Sequence, residues 1–319
     1  MRLKLVPKNT SWDFFSRSKL WIGISIVLVI LSLLSFFIQS LNFGIDFRGG
    51  TSIRTESSEP IDVADYRRAL SSLDLGDITI SEVFDPNFAD DQNVAMIRIQ
   101  AQPGQEAATS TLVENSLQKL REVSEDIKFV SVESVGPKVS GELIKTAIIA
   151  VILAISAVLF YIWIRFEWQF AVGAISALIH DVILTIGIFS ALQIKFDLAI
   201  IAAILTIVGY SLNDTVVVFD RVRENLRKFK KRSLVEVMNL SINETMSRTV
   251  MTSVTTLLAL ISLFILGGDV IRGFVFAMIW GVVVGTYSSI FIASAILLWT
   301  GVKRDWSKPN AEAGTQVPQ

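Results

Sequence analysis

Residues 198–219 read LAIIAAILTIVGYSLNDTVVVF, twenty-two positions in which Asp214 is the only charge. As a helix the run is about 33 Å long at 1.5 Å per residue, enough to cross roughly 30 Å of hydrocarbon. A carboxylate at such a depth costs about 3 kcal/mol to insert, so it points to function before it points to packing. Five other stretches share the pattern: Leu20 to Ile38, Leu143 to Ile164, Phe170 to Leu192, Thr249 to Leu266 and Gly273 to Trp299. The fifth span is short by hydropathy alone and can begin earlier, near Ser241, while the last is long enough to tilt. The expected fold class is an α-helical polytopic membrane protein of six transmembrane helices.

Composition agrees. Of 319 residues, 51% are hydrophobic and only 18% charged, against about 25% charged in an average soluble domain. A chain with no Cys and one His, His180, cannot build a disulfide, a thiol nucleophile, an iron–sulfur cluster or a His-rich metal site. A net charge of −1 argues against nucleic acid as a partner. The phosphate-cradling G-x-x-x-x-G-K-[ST] loop is missing, and His180 lies mid-span with no exposed nucleophile elbow beside it. We therefore expect no enzyme, no cofactor and no metal.

Lys/Arg bias orients the spans. Arg2, Lys4, Lys8, Arg17 and Lys19 precede the first. Arg221, Arg223, Arg227, Lys228, Lys230, Lys231, Arg232 and Arg248 lie between the fourth and fifth, and Lys303, Arg304 and Lys308 follow the sixth. Residues 40–142 instead carry 9 Lys/Arg against 18 Asp/Glu. The expected division is a cytoplasmic segment at 1–19, a first span at 20–38, an exported domain at 39–142 and five spans at 143–300. A basic cytoplasmic loop at 220–248 interrupts those spans, and a disordered cytoplasmic tail follows at 301–319. The first span is too long for a signal-peptide core and is followed by Gln39-Ser40-Leu41, not a small-x-small cleavage site, so it is expected to stay as an anchor.

Within the exported segment, strands are expected at Asn42 to Thr55, Ile78 to Phe84, Val94 to Ala101 and Ile127 to Val135. One helix opens at Pro60-Ile61-Asp62 and places Val63, Tyr66, Leu70 and Leu73 on one face; a second runs from Gln105 to Val123. Asp90-Asp91-Gln92-Asn93 supplies the polar turn between the middle strands. The order β-α-β-β-α-β is that of an inserted ferredoxin-like α+β domain.

The ionisable residues inside the spans are the functional candidates. Asp214 lies about five residues from the cytoplasmic end of its span, and Arg248 reaches similar depth on the antiparallel fifth span if that helix starts near Ile242. Burial raises a carboxylic acid's pKa and a nearby guanidinium lowers it, so an Asp with a movable Arg neighbour can alternate between proton acceptor and donor. The plainer alternatives are a static hydrogen-bonded Asp214 and an Arg248 that snorkels to the interface. His180 and Asp181 sit mid-span and about 100° apart, so they are not expected to face one neighbour. With Ser211 and Asn213 they form a secondary relay or packing set. Ala199, Ala202, Ala203, Thr206, Gly209 and the pair Gly281/Gly285 permit close helix packing. Val222, Leu226 and Phe229 in the basic linker suggest a segment lying flat on the cytoplasmic interface.

The stretch Phe43-Gly44-Ile45-Asp46-Phe47-Arg48-Gly49-Gly50 resembles the G-x-D-F-x-G-G signature of the SecF family of bacterial protein-export membrane subunits, itself similar to the RND superfamily. The motif residues are Gly44, Asp46, Phe47, Gly49 and Gly50. Phe166-Glu167-Trp168, Ala177 to Asp181, Gly209 to Asn225, Arg248-Thr249 and Gly285 to Phe291 also look like that family. The resemblance implies a subunit that pairs with SecD, each contributing half of an RND-like bundle. It implies association with the SecYEG channel, YajC and the translocating preprotein in the bacterial inner membrane. It also implies use of the proton-motive force in late, ATP-independent stages of export, with Asp214 and Arg248 as the proton-relay pair. A small-molecule RND-type exporter and a non-coupling scaffold of the translocase are the competing readings.

Overall fold

The computed structural model describes residues 10–73, 75–76, 78–86, 88–89, 91–101 and 110–302. In chain order they form α1 (Ser18–Gln39), β1 (Asn42–Phe43), a one-turn helix α2 (Ile45–Arg48), β2 (Gly50–Ser57), α3 (Val63–Leu70), β3 (Ile78–Val83), β4 (Asn93–Gln100), α4 (Ser110–Arg121) and β5 (Lys128–Val135). There follow α5 (Pro137–Arg165), α6 (Trp168–Ala191), β6 (Lys195–Phe196), α7 (Leu198–Lys228), α8 (Leu234–Leu266), α9 (Gly268–Ser288), a π-helical segment (Ser289–Ala293) and α10 (Ser294–Thr300). Six helices are long and apolar enough to cross a membrane, the last running from Gly268 to Thr300 through the π segment.

Burial is uneven among the spans. On α1 and α5, Leu31, Phe37, Ile152 and Trp163 stay exposed, as side chains facing hydrocarbon can. The interior belongs to α6, α7 and the last span. Phe170, Phe219, Val222 and Met238 pack into one apolar cluster, and Phe189, Ile200, Ile207 and Ala277 into another. A Cβ on Gly281 would run into the side chain of Ile207, so the glycine is what lets α9 close on α7.

The polar linker differs from the expected interfacial segment. α7 continues as a helix to Lys228 and α8 begins at Leu234, behind a capping box in which Ser233 Oγ accepts from Glu236 N and Ser233 N donates to Glu236 Oε2. Val222 and Leu226 are buried against Val237 and Met238 in the same cluster, and Asn225 Nδ2 donates to Ser241 Oγ at 3.0 Å and to Glu244 Oε2 at 2.7 Å. Those apolar residues read as a membrane-facing stripe, but they continue the buried seam of α7. Of the proposed loop at 220–248 only the turn at 229–233 is non-helical. Chain ahead of α1 docks on α8, where Asn243 Oδ1 accepts from Trp12 N and Asn239 Oδ1 accepts from Phe14 N. Arg2, Lys4 and Lys8, and nearly all of the proposed tail with Lys303, Arg304 and Lys308, lie outside the described residues.

Strands β3-β4-β2-β5, in that spatial order and antiparallel throughout, make the sheet of the inserted α+β domain. Ile53, Ile97, Ile99, Tyr66, Leu70 and Leu120 form its core beneath α3 and α4. Asp62 caps α3 by accepting from Ala64 N at 2.7 Å. The long first strand expected at 42–55 is instead β1, then α2, then β2. The reason is backbone: Gly49 and Gly50 take φ of 74° and 130°, and a Cβ on Gly50 would strike the Ile99 carbonyl oxygen. The described part of the second helix is Ser110–Arg121; Gln105 at its expected start, and Asp90 in the expected turn, lie outside the described residues.

Candidate functional site

Asp214 is 2% exposed on α7, and its Oδ2 is enclosed with no hydrogen-bond partner among the described residues. Across the α7–α8 seam, the Thr249 hydroxyl is also enclosed and unpartnered. Arg248, one residue before it, has an exposed side chain. It stands close enough for its charge to bear on Asp214, and among the described residues no ion pair joins the two. The helix extension makes this possible, since α8 starts fourteen residues ahead of Arg248 and carries it up beside α7.

The second carboxylate is different in kind. Asp181, 1% exposed on α6, accepts from Ser211 Oγ of α7 at 2.6 Å and from Ser288 Oγ of α9 at 2.8 Å, both at Oδ2. Its Oδ1 lies 3.0 Å from His180 Nδ1. The His180 ring stands 6.1 Å from that of Tyr287, whose hydroxyl pairs with Ser25 Oγ of α1 at 2.9 Å and donates to Trp21 O at 2.8 Å. His180 and Asp181 thus do share a neighbouring helix. Two successive residues of α9, Tyr287 and Ser288, take one each, just where the helix passes into its π turn, a local rewinding common at functional sites. Ser211 belongs to this cluster and stands one turn before Asp214 on α7. Asn213 is exposed and joins neither group.

The glycine-rich motif works at the N-terminal end of α7. Gly44 N donates to Phe196 O at 2.8 Å, and a Cβ on Gly44 would lie 2.8 Å from Lys195 Cε. Asp46 Oδ2 accepts from Leu198 N at 3.1 Å, filling an amide that the first turn of α7 leaves open. The Phe47 ring packs 6.0 Å from that of Phe196. Gly49 and Gly50 then turn the chain into β2.

In the inserted domain, hydrogen bonds from Ser124, Ser58 and Ser57 hold the Asp126 carboxyl well below the usual carboxylate range. Burial lowers the Arg98 guanidinium, opposed by the charge of Asp197. Burial raises the Tyr66 phenol.

Tyr287, Ser288 and Asp46 fall in stretches that the sequence already marks, but their contacts, with Ser25, Asp181 and Leu198, are not legible there. Hydroxyls in an otherwise apolar sixth span were the available signal, but their partners are contributed by helices more than 100 residues away.

The family model for protein export membrane protein SecD/SecF, C-terminal, matches residues 115–303, and the SecD/SecF GG motif matches residues 34–61. The protein translocase subunit SecF of Cereibacter sphaeroides is 58% identical over 315 residues, covering 99% of this chain and 97% of the relative. That of Rhodobacter capsulatus is 58% identical over 96% of this chain and 94% of the relative. The crystal structure of SecDF, a translocon-associated membrane protein from Thermus thermophilus, superposes with a TM-score of 0.80 at 33% identity. This chain covers 40% of that longer one, with 94% of its own length aligned. A super-membrane-facing form of SecDF gives 0.69 at 34% identity over the same shares.

Proposed function

The chain belongs to the SecD/SecF family of protein export membrane proteins, and from that premise we propose that it is the SecF-type half of a proton-driven accessory to the Sec translocase. In this reading it pairs with SecD in the bacterial inner membrane, both termini cytoplasmic, and works beside SecYEG and YajC. Together they use the proton-motive force to assist the late, ATP-independent passage of a preprotein.

The observation that carries the reading is the state of Asp214. It is buried in a span, its Oδ2 has no hydrogen-bond partner among the described residues, and a guanidinium is within electrostatic reach without being paired to it there. A carboxylate that served only as packing glue would be tied up, as Asp181 is. One that must bind and release protons needs a free oxygen and a nearby cation whose approach favours release. The membrane potential supplies ~2.3 kcal/mol per charge per 100 mV for each proton so moved.

The test is Asp214→Asn in membranes carrying the whole translocase. We expect proton-dependent stimulation of translocation to fall at least tenfold while the abundance of the complex stays normal. A joint fall of abundance and activity would support a scaffold instead, and unchanged stimulation would remove the coupling role altogether.

A further inference from the structure

The inserted domain meets the membrane helices at two places. At one, Asp46 Oδ2 accepts from Leu198 N; at the other, Phe84 N donates to Asp269 Oδ2 at 2.7 Å, beside the Asp269–Arg272 ion pair. Between these contacts the helix-free face of the sheet roofs a cavity of about 570 Å³, a size typical of small-molecule sites. Its floor is made by the N-terminal ends of α7 and α9 and the C-terminal end of α8. Those are span ends, the level at which hydrocarbon gives way to phospholipid headgroups.

The roof carries two cations with no counter-charge of their own. Register sets Arg54 of β2 against Met96 of β4 and Arg98 of β4 against Ser52 of β2, so both arginines lie on the face that lines the cavity. Each Nε is enclosed without a hydrogen-bond partner, and among the described residues neither guanidinium has an ion pair. Arg98 Nη2 donates to Met96 Sδ at 3.3 Å, a weak acceptor. The carboxylates of the floor are engaged elsewhere: Asp46 by Leu198 N, Asp269 by Arg272, and Asp197 Oδ2 by Lys195 at 3.4 Å. Asp197 Oδ1 is enclosed and unpartnered among the described residues.

Two arginines on one face suit a phosphate, which takes paired N–H donors from a guanidinium. The wall as a whole is mixed, with four cationic side chains and five carboxylates. A purely anionic ligand would meet those carboxylates as well as the arginines, whereas a zwitterion brings a charge of each sign. Apolar side chains complete the wall, Phe264, Val270 and Phe274 among them, and Val270 is 69% exposed. The cavity therefore opens beside Val270 onto an apolar surface. We propose that it binds the headgroup of a membrane phospholipid bearing a primary ammonium, a phosphatidylethanolamine. Arg54 and Arg98 take the phosphodiester, and the ammonium lies toward Asp197 and Glu133. The acyl chains leave past Val270 along α8 and α9, so that lipid fills the joint between the inserted domain and the spans. The site uses neither Asp214 nor Arg248 and stands whether or not those two carry protons.

Because the chain has no cysteine, Ser131→Cys places a single thiol on the cavity wall. Ser72→Cys, just after α3 on the other side of the sheet, gives a separate reference thiol. Alkylation by a neutral maleimide is measured for each in the complex with a cysteine-free SecD partner, in phosphatidylcholine nanodiscs with or without a second lipid. We expect phosphatidylethanolamine to slow position 131 relative to position 72 at least threefold, and phosphatidylglycerol to slow it less than twofold. Arg54→Gln with Arg98→Gln should abolish that protection, and Asp197→Asn should let phosphatidylglycerol protect as well as phosphatidylethanolamine. Should the double variant fail to assemble, the lipid comparison with both arginines in place decides by itself. The proposal is overturned if phosphatidylethanolamine gives no protection, if phosphatidylglycerol already matches it in the unaltered cavity, or if an assembled double variant is protected as before. Equal protection by inorganic phosphate in phosphatidylcholine alone also overturns it, since a free phosphate and not a lipid would then be the ligand.

Discussion

Replacing Ser211 and Ser288 by alanine, singly and together, tests whether Asp181 is the polar anchor of the bundle. Both hydroxyls converge on one oxygen, Oδ2, from two different helices, at 2.6 and 2.8 Å. A hydrogen bond to a charged acceptor contributes about 1.5–3 kcal/mol, whereas interhelical pairs in membranes average nearer 0.6 kcal/mol. Either single change leaves Oδ2 one donor and should cost about 1 kcal/mol. The double change leaves a buried carboxylate oxygen with none, and that desolvation cost appears only when the last donor goes. We therefore expect the double variant to lose about 1–2 kcal/mol more than the sum of the singles, a reversal of the near-additivity seen for independent sites. Reversible unfolding in mixed micelles, read as a double-mutant cycle, measures the excess. An additive cycle, or a total loss below about 0.5 kcal/mol, would refute the claim that the two serines jointly satisfy one charged group.

Two further outcomes concern the inserted domain. Asp126 has its folded-state pKa depressed by the serine hydroxyls around it, so the stability it contributes is present above the unfolded value of about 3.9 and is lost as pH falls below that. The wild-type domain should become steadily more susceptible to pepsin from about pH 4 downward, and Asp126→Asn should flatten that dependence. Gly50→Ala should destabilise the domain by at least about 2 kcal/mol, since it puts a side chain at a φ of 130° and against the Ile99 carbonyl. Loss of hydrogen-exchange protection across β2 and β4, with the membrane helices unaffected, is the expected signature.

What could be read from the sequence was whatever depends on local pattern. Six spans, the β-α-β-β-α-β order and the oddity of Asp214 all follow from periodicity and from charge in apolar runs. The extension of α7 to Lys228 was hidden because Val222 and Leu226 are equally good residues for a membrane surface and for a helix seam, and only Val237 and Met238 across the hairpin decide between them. The break at 44–50 was hidden because Ile45, Phe47 and Ile53 look like one strand until two glycines reverse the backbone. The site was half legible. A charge in a span announces itself, but whether it is satisfied depends on hydroxyls from other helices, as Asp181 and Ser288 show, 107 positions apart.

The contrast between the two carboxylates also indicates which helix is free to move. Asp181 bonds α6 to α7 and α9 at once, and Gly281 and Gly285 bring α9 against Ile207 and Ser211 of α7. These three helices share buried hydrogen bonds and backbone-close packing, and separating them would strand a charge. α8 has less to hold it. Leu258, Ile261, Leu263, Ile265 and Leu266 on its C-terminal half are exposed, and a side-chain hydrogen bond joins it to α9 at Ser253 Oγ and Thr286 Oγ1, 2.7 Å apart. At its inner end Asn225 ties it to α7 through Ser241 and Glu244. A change of charge at Asp214 therefore acts on a helix fixed near its hairpin with α7 and loose toward its C-terminal end. On this argument Asn225→Ala should loosen that fixed end and uncouple transport from the proton gradient more than it lowers stability. The check is the ratio of proton-dependent translocation to complex abundance; equal falls in both would mean that the hairpin merely holds the bundle together.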